Sequence, residues 1–530
     1  MALLETLPKL DPEPEVELIR WFTEPLDNAV AAARTCYSSK VVYPGDVSKD
    51  ERARRLRDEI ARSTYEAGHH TTIQHPTFEF VLKKVSRQFI WSFLHAHPFY
   101  NSEQVSQRYV EVKAGNYVTP PLEEAARAAF EACCERQFAA YRELIDVVTP
   151  EVRERFFAIY KGRRGDAEKW EPAVKKRALE IARYVLPVAT HAHLYHTISG
   201  VTLHRYHRLC ETYDAPLEAR AVVRKMVAAV EAVDPLFLRD REDPLPLEAT
   251  PEFRFFEGVR GGERSIAAGA ARAFVDEFDR DLGPLRSKLV DWKANAERTV
   301  AQAVRTVLGA EEARLDDAAA LELALDPARN AHLGSALNVT TLSKLSRALH
   351  HAHYTFRKKL SHTADSQDQR HRMTPGSRPI LAAHYVPGRP DFVAPQVVAE
   401  MPRAMDVFGR AMEDTWRAID GLLERGVPAE RALYLLPNAF PVRFEESGDL
   451  LFQHHKWTTR LCYLAQEEIW RASKEEVEQV ARVHPRLARH VLAPCGMRKE
   501  AGKKPFCPEG KRFCGVPVWG AKVEEYERTL

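Results

Sequence analysis

Hydrophobic and polar positions along the chain fall into two kinds of segment. Val16 to Phe22 and Thr77 to Val85 are short and rich in β-branched and aromatic residues, so they are expected to form strands. Apolar positions at helical spacing mark Ala29 to Arg34, Arg52 to Ala67, Glu123 to Val147, Ala173 to Val185 and Pro216 to Val233 as helices. Helices outnumber strands, which predicts an α+β fold.

The same pattern occurs twice. Leu18-Ile19-Arg20-Trp21 and the Ala-rich run to Arg34-Thr35 are answered by Leu289-Val290-Asp291-Trp292 and the run to Arg305-Thr306, a shift of 271. Val85-Ser86-Arg87 is matched with Leu345-Ser346-Arg347 at a shift of 260, and Val185-Leu186-Pro187 with Leu435-Leu436-Pro437 at 250; Ala215 and Glu218 face Ala465 and Glu468 at the same 250. These anchors predict a tandem duplication with a first copy over residues 14–235 and a second over 286–490. Residues 236–285 form the expected linker, with Pro244, Pro246 and Pro251 among acidic residues and a connecting helix over Ala267 to Asp281. A Cys-containing basic tail, 491–530, completes the chain.

Composition fits this division. A chain of 530 residues, 45% hydrophobic, buries more than one core. Lys plus Arg number 77 against 75 Asp plus Glu, a net charge of +2, so nucleic acid is not an expected partner except through a local patch. Met1 to Arg20 has no apolar run behind a basic start, and no stretch of about 18 apolar residues occurs, which argues against a secretory signal or a membrane span. Eight Cys are too few for a disulfide scaffold and point to a reducing, cytoplasmic setting.

The candidate chemistry of the first copy lies in Gly68 to Phe80, Val85-Ser86-Arg87-Gln88-Phe89 and Glu103-Gln104-Val105-Ser106-Gln107-Arg108-Tyr109. A strand that ends in Arg87, followed by a polar cluster with Ser106 and Arg108, suits an anion, because a guanidinium offers a planar fork of donors and a hydroxyl can share the same oxygens. The plainer alternative is a surface Arg87 paired with Glu103.

These residues resemble the flavin-dependent thymidylate synthase family. Val16 to Ser38 is similar to its first strand and helix, and His75, Phe78-Glu79-Phe80 and Val85-Ser86-Arg87 resemble its flavin-contacting His, Phe-x-Phe and Val-Ser-Arg. Ser106-Gln107-Arg108-Tyr109 matches Ser-x-Arg-Tyr. Ala182-Arg183 to Leu186-Pro187 and Ala215-Pro216-Leu217-Glu218-Ala219-Arg220 resemble Ala-Arg-x-x-Leu-Pro and Ala-Gln-x-Glu-Ile-Arg, the latter closer still in Ala465-Gln466-Glu467-Glu468-Ile469. The resemblance implies two tandem thymidylate-synthase-complementing-type domains, with helices packed on an antiparallel sheet. It also implies reductive methylation of dUMP to dTMP, with methylene from methylenetetrahydrofolate, hydride from reduced FAD, and NADPH as reductant. Ser106 and Arg108 would then clamp the phosphate, with Gln104 and Gln107 beside them. His75, Arg87, His95 and His97 would lie near the flavin.

The signature motifs diverge. The family's Arg-His-Arg, seven residues, Ser is replaced by His95-Ala96-His97 with eight intervening residues, which exchanges fixed charges for groups expected to titrate near neutrality. The family's Asn-x-Arg falls on Ser199-Gly200-Val201, and a dUMP-binding Arg falls on Cys210. In the second copy Asp368-Gln369-Arg370-His371 is taken as the counterpart of Ser-Gln-Arg-Tyr, which makes Arg370 a substrate contact and puts a carboxylate at the phosphate position. Arg460 and His455 stand where the family has Arg and His, and Gln466 belongs to the Ala-Gln-x-Glu motif. Arg370-His371-Arg372, aligned from Arg347, is expected to be coincidental; otherwise the second copy holds the flavin site. Because the family builds its sites at subunit interfaces of a homotetramer, the two copies are expected to complement one another, half the ancestral sites kept and half decayed, with a homodimer as pseudo-tetramer.

Cys495, Cys507 and Cys514 each sit beside Gly or Pro in the tail, with Cys462 as a fourth ligand, and suit a zinc or iron-sulfur site; spacings of 11 and 6 intervening residues fit neither a ribbon nor a finger, and free thiols in a packed tail are the alternative. Cys36, Cys133, Cys134 and Cys210 are expected to be small buried hydrophobes. His191-Ala192-His193-Leu194-Tyr195-His196 would put His193 and His196 on one helix face, where aromatic packing is expected in preference to metal binding, as it is for His350-His351-Ala352-His353. Two further functions compete with dUMP methylation: a related flavoprotein acting on another nucleotide or uracil-containing substrate, and a non-catalytic nucleotide-binding homologue. Lys499, Lys503, Lys504, Lys511 and Arg512 leave room for an RNA contact, though a solvated face accounts for them.

Overall fold

A computed structural model of the chain describes residues 7–260, 267–335 and 343–530; residues 1–6 of the N-terminal stretch, residues 261–266 of the expected linker and residues 336–342 lie outside the described residues. Eight strands are present among them: β1 (Glu15–Trp21), β2 (Thr77–Ser86), β3 (Tyr100–Gln104), β4 (His191–Ser199), β5 (Ser287–Trp292), β6 (His353–Ser361), β7 (Gly376–Ser377) and β8 (Pro441–Asp449). They form two antiparallel four-stranded sheets with one topology, β1-β2-β4-β3 and β5-β6-β8-β7. The helices that bear on the site are α1 (Arg87–His95), α2 (Gly200–Leu209), α3 (Pro216–Glu231), α4 (His362–Asp368), α5 (Leu450–Arg460) and α6 (Glu467–Val483). No helix among the described residues is long and apolar enough to cross a membrane.

Alternation fixes which face of each sheet is inside. In β2 the side chains of Phe78, Phe80 and Leu82 are fully buried, and in β6 those of Tyr354, Phe356 and Leu360. Trp21 pairs with Phe78 and Trp292 with Tyr354, so the first anchor of the repeat holds. The middle anchor does not. Leu345 to His351 is a 3-10 helix ahead of β6, and the strand-ending serine of the second sheet is Ser361, not Ser346. The shift there is 275, not 260; it falls to 250 only after β7, where the second copy is shorter. A bulge at Lys84, held at φ 57°, adds one residue to β2 that β6 lacks.

The histidine-rich segment is a strand, not a helix. On β4, His193 and His196 project to opposite faces, His193 exposed and His196 buried, so they share no metal-binding face. The helix expected over Glu123 to Val147 continues through Pro150 to Ile159.

The chain folds as two compact units that are not contiguous in sequence. Of the described residues, those within 1–136, 187–267 and 417–436 make unit 1, and those within 137–186, 268–416 and 437–530 make unit 2. Each holds one sheet together with a segment from the opposite copy. In unit 1 the amides of Val188 and Ala189 donate to the carbonyls of Leu436 (2.7 Å) and Tyr434 (2.9 Å). In unit 2 those of Asn438 and Ala439 donate to Leu186 (2.8 Å) and Tyr184 (2.8 Å).

Within each unit the borrowed segment completes a buried carboxylate. Ser86 caps α1 by accepting from the Phe89 amide (2.9 Å), donates its hydroxyl to Glu218 (2.6 Å), and donates its own amide to the other carboxylate oxygen (2.7 Å). Tyr434 donates a third hydrogen bond at 2.7 Å. Unit 2 repeats the arrangement with Ser361, Glu468 and Tyr184, at 2.6 Å for both serine bonds and 2.8 Å for the tyrosine. Burial lifts both carboxyl groups above their ordinary range, and these three donors oppose the lift.

Around this shared frame the two interiors differ. Unit 1 packs Phe93, His196 and Tyr206 together, with His196 bonded to the Tyr206 hydroxyl at 3.1 Å. At the matching places unit 2 has Asp368, Glu446 and Lys456, joined by Lys358 and Glu476, all fully buried. Lys358 meets Asp368 (2.9 Å), Glu446 (3.4 Å) and Glu476 (2.9 Å); Lys456 meets Asp368 (2.9 Å) and Glu446. Trp457 donates to Glu476 at 2.7 Å. Two ammonium groups face three carboxylates, and the Glu446 carboxyl is driven upward by burial and by Asp368, which makes it the member that holds a proton most readily.

Tyr434→Phe or Tyr184→Phe leaves a buried carboxylate one donor short and is expected to cost about 1.5 to 3 kcal/mol, measured by chemical denaturation. The pH profile carries a second expectation. Burial depresses His196 to about 3 and His204 and His454 to about 4, so the unfolded chain binds protons below about 6.5 that the folded chain refuses. The stabilisation is intact above about pH 6.5 and is lost as pH falls toward 4, by about 1.4 kcal/mol per pH unit for each histidine. A His196→Phe variant with an unchanged slope of unfolding free energy over that interval would contradict this assignment.

Candidate functional site

In unit 1 the serine cap of α1 places Arg87 at the first helical position, beside the end of β3. Its guanidinium donates to the Gln104 side-chain oxygen (2.6 Å) and to the Val105 carbonyl (2.6 Å). Arg87 therefore fixes the two residues that lead into Ser106. The Ser106 hydroxyl accepts from the Arg108 amide (3.2 Å), which curls the loop, and Gln107 and Arg108 are both buried. The Arg108 guanidinium stands 5.4 Å from the exposed Tyr109 ring. Gln104, Ser106, Gln107 and Arg108 are thus consecutive parts of one ordered loop, with Arg87 as its brace. His75 is exposed at the close of a 3-10 turn, Thr72–Gln74, just ahead of β2.

His95 ends α1 with its ring against Trp91, centroids 4.5 Å apart. His97 is buried, and Arg205 on α2 donates to its Nε2 at 2.6 Å, which requires that nitrogen to be unprotonated. Burial, then Arg205, depresses His97 to about 4. The expected titration near neutrality is accordingly corrected for this residue: its environment selects the neutral ring. Arg205, which sequence reasoning missed, lies 250 residues before His455, so the repeat register could have flagged it.

The corrected register reassigns the second copy. Counted from Ser361, Arg370-His371-Arg372 occupies the place of His95-Ala96-His97 at the end of α4, not the place of Ser-Gln-Arg-Tyr. The counterparts of Ser106 and Arg108 are Ile380 and Ala382, which cap and enter a short helix, Leu381–His384, while Arg378 stands at the place of Gln104 and is bonded to Asp365 at 2.8 Å. Asp368 does not stand at a phosphate position either; it is part of the buried ion cluster. Arg370 is exposed at the end of α4.

Arg460 donates from Nε to His371 Nε2 (2.8 Å) and from Nη2 to the Gln367 carbonyl (3.0 Å), and the His455 ring lies edge-on to His371, centroids 6.1 Å apart. Burial and then Arg460 depress both imidazoles. His371, His455 and Arg460 therefore form one group beside Arg372. The positions held by His97 and Arg205 in unit 1 are held by Arg372 and His455 in unit 2: imidazole and guanidinium have changed places. Gln466 is buried and donates to the Tyr184 hydroxyl, which ties it to the Glu468 carboxylate; it also borders a small pocket with Arg177, Gln396 and Arg528.

Cys462, Cys495, Cys507 and Cys514 all lie in unit 2 with free thiols. Cys133, Cys134 and Cys210 are buried as expected, and Cys36 is exposed, contrary to expectation. Among the described residues a trio with donor atoms all within 4.8 Å of one another is Glu322, Asp326 and His490, but Arg489, Arg329 and His490 already pair with its carboxylates.

Two sheets of one topology, each feeding a serine-capped helix that a buried glutamate anchors, define a two-unit α+β protein of a single repeated type. Comparison with known proteins gives that type a family. The sequence model of the thymidylate synthase complementing protein matches residues 17–236 and 288–486, and the chain belongs to that family. The flavin-dependent thymidylate synthase of Nitratidesulfovibrio vulgaris is 32% identical over 230 residues, 42% of this chain and 84% of the relative. That of Clostridium tetani is 28% identical over 231 residues, again 42% and 84%. Among solved structures, the UMP/dUMP methylase PolB of Streptomyces cacaoi, bound with 5-Br dUMP, is 20% identical with a TM-score of 0.31, covering 44% of this chain and 98% of that one.

The exchanged Arg and His positions make a double-mutant test. His97→Arg alone sets a buried guanidinium against the half-buried one of Arg205 and is expected to destabilise the fold. Adding Arg205→His should recover about 1 to 3 kcal/mol of the loss, read from denaturant unfolding of the two singles and the double.

Proposed function

We propose that the protein is a flavoenzyme that binds dUMP and methylates its uracil reductively, as the family to which it belongs suggests. The observation that carries this reading is the ordered loop of unit 1. Arg108 is held inward by the Ser106 turn, and Arg87 braces that turn from behind, so the donors are set before a phosphate arrives and little ordering is left for binding to bear. Ser106, Gln107 and Arg108 would hold the phosphate, with Gln104 fixed by Arg87.

For FAD, the donor chemistry at the end of α4 fits. Arg370 and Arg372 supply permanent cations, and His371 and His455 are neutral rings beside Arg460, a set suited to a pyrophosphate and a polar ring edge. When bound and reduced by NADPH, FAD supplies hydride while methylenetetrahydrofolate supplies the one-carbon unit. The corresponding place in unit 1, His95-Ala96-His97, has no arginine of its own and keeps His97 neutral, so unit 2 is the better candidate for flavin. The proposed assembly is a homodimer, four family-type units in all.

A second reading is favoured by Ile380 and Ala382: unit 2 lacks counterparts of Ser106 and Arg108, so the substrate could be a different uracil nucleotide. Titration of the purified full-length chain separates these readings. FAD should bind with visible absorbance, and Arg370→Ala/Arg372→Ala should weaken it by about 10- to 100-fold, the loss expected for one or two charged hydrogen bonds. Arg108→Ala should weaken dUMP by a similar factor and leave FAD affinity unchanged. Flavin that binds but is not oxidised in a dUMP-dependent way selects the other nucleotide substrate; failure to bind FAD at all leaves a non-catalytic nucleotide-binding homologue.

A further inference from the structure

The tail beyond the second copy plays no part in the reading above, yet its three cysteines and Cys462 converge. Cys462 lies in the turn between α5 and α6, its carbonyl accepting from the Ala465 amide at 2.8 Å. Cys495 is buried at the start of a short helix, Pro494–Glu500, and belongs to the apolar core of unit 2. Cys507 and Cys514 pack against that same core from loops. What gathers the two loops is Trp519. The rings of Phe506 and Phe513, each immediately before a cysteine, contact it with centroids at 6.0 and 5.6 Å. Tyr160 pins the second loop by donating to the Phe513 carbonyl (2.9 Å), and its ring fills the space where a side chain on Gly515 would project. Every one of the six pairs among the four thiols is near enough for their charges to influence one another.

We propose that Cys462, Cys495, Cys507 and Cys514 form a four-thiolate site for an iron-sulfur cluster. Residues 501–517 hold no strand and no α-helix, and a metal centre would cross-link them to the core they pack on. The choice of a cluster over a single zinc rests on spacing. Around zinc, thiolates at about 2.3 Å from the ion stand about 4 Å from one another. Among the described residues no three of these sulfurs approach within the 4.8 Å that the Glu322 trio satisfies, and a cluster, being larger than an ion, holds its ligands further apart. The local charge is mixed: Arg177 lies near Cys514 and Glu509 near Cys462, while Lys499, Lys503, Lys504, Lys511 and Arg512 are close to the cysteines in sequence. Assembly of four sulfides with two ferrous and two ferric ions forms four Fe–S(Cys) bonds and displaces the proton of any thiol that still carries one.

The site stands independently of the flavin reading, and its assay is elemental. Full-length protein purified without oxygen, or reconstituted with equal ferrous and ferric iron and sulfide, should contain about four irons and about four acid-labile sulfides per chain. Cys507→Ser/Cys514→Ser should lose more than nine-tenths of both, while Cys36→Ser, at the exposed cysteine of unit 1, should keep them. One zinc per chain in place of iron, iron content indifferent to the double variant, or wild-type protein that takes up neither metal after reconstitution would each overturn the proposal. The wild-type measurement decides the matter even where the double variant does not fold.

Discussion

Two buried glutamates organise this protein. Each sits where a strand hands over to a helix, and each needs a serine amide, a serine hydroxyl and a tyrosine hydroxyl to tolerate its loss of water. The serine is also the helix cap, so the same bonds set the angle at which α1 and α4 leave their sheets. Part of each unit's candidate chemistry follows from those two helices. Arg87 is the residue after one cap, and Arg370-His371-Arg372 follows the helix that the other begins. A polar group in a core is costly unless satisfied, and here the satisfaction doubles as positioning.

On that common frame the units have taken different courses. Unit 1 keeps a cationic loop, and burial holds His97, His196 and His204 neutral, with Arg205 adding to the effect at His97. Unit 2 has lost the loop, kept Arg-His-Arg with Arg460, and filled its interior with paired ions. A buried ion cluster is a weak source of net stability, because desolvation offsets most of the attraction, but it tolerates little alteration. The aromatic interior of unit 1 carries no such constraint.

Strands β1 and β2 were legible in the sequence because β-branched and aromatic residues crowd them, and the repeat was legible because Trp21 and Trp292 start equivalent strands. The middle of the second copy was misplaced for an identifiable reason. Leu345-Ser346-Arg347 copies the tripeptide Val85-Ser86-Arg87 but forms a 3-10 turn, whereas the true counterpart, Leu360-Ser361-His362, has lost the arginine. The buried alternation Tyr354, Phe356 was the signal that fixed the register, and it outweighs a three-letter match. That slip moved Arg370-His371-Arg372 out of its place at the end of α4, opposite His95-Ala96-His97 in the first copy. β4 was missed because histidines at positions 191, 193 and 196 suggest a helical offset, while burial follows Ala192, Leu194 and His196 with period two. The convergence of the cysteines could be guessed from composition, but the Trp519 contacts that gather them depend on tertiary packing and leave no local trace.

Tyr434 serves the first sheet and Tyr184 the second, although each belongs to the opposite half of the gene. Such reciprocal lending makes the halves inseparable in heredity: a truncated descendant carrying either alone would strand a carboxylate in oil. It also releases them from sameness. In an assembly of identical chains every substitution is imposed on all sites at once, whereas here a change can settle in one half while its sibling preserves what was there before.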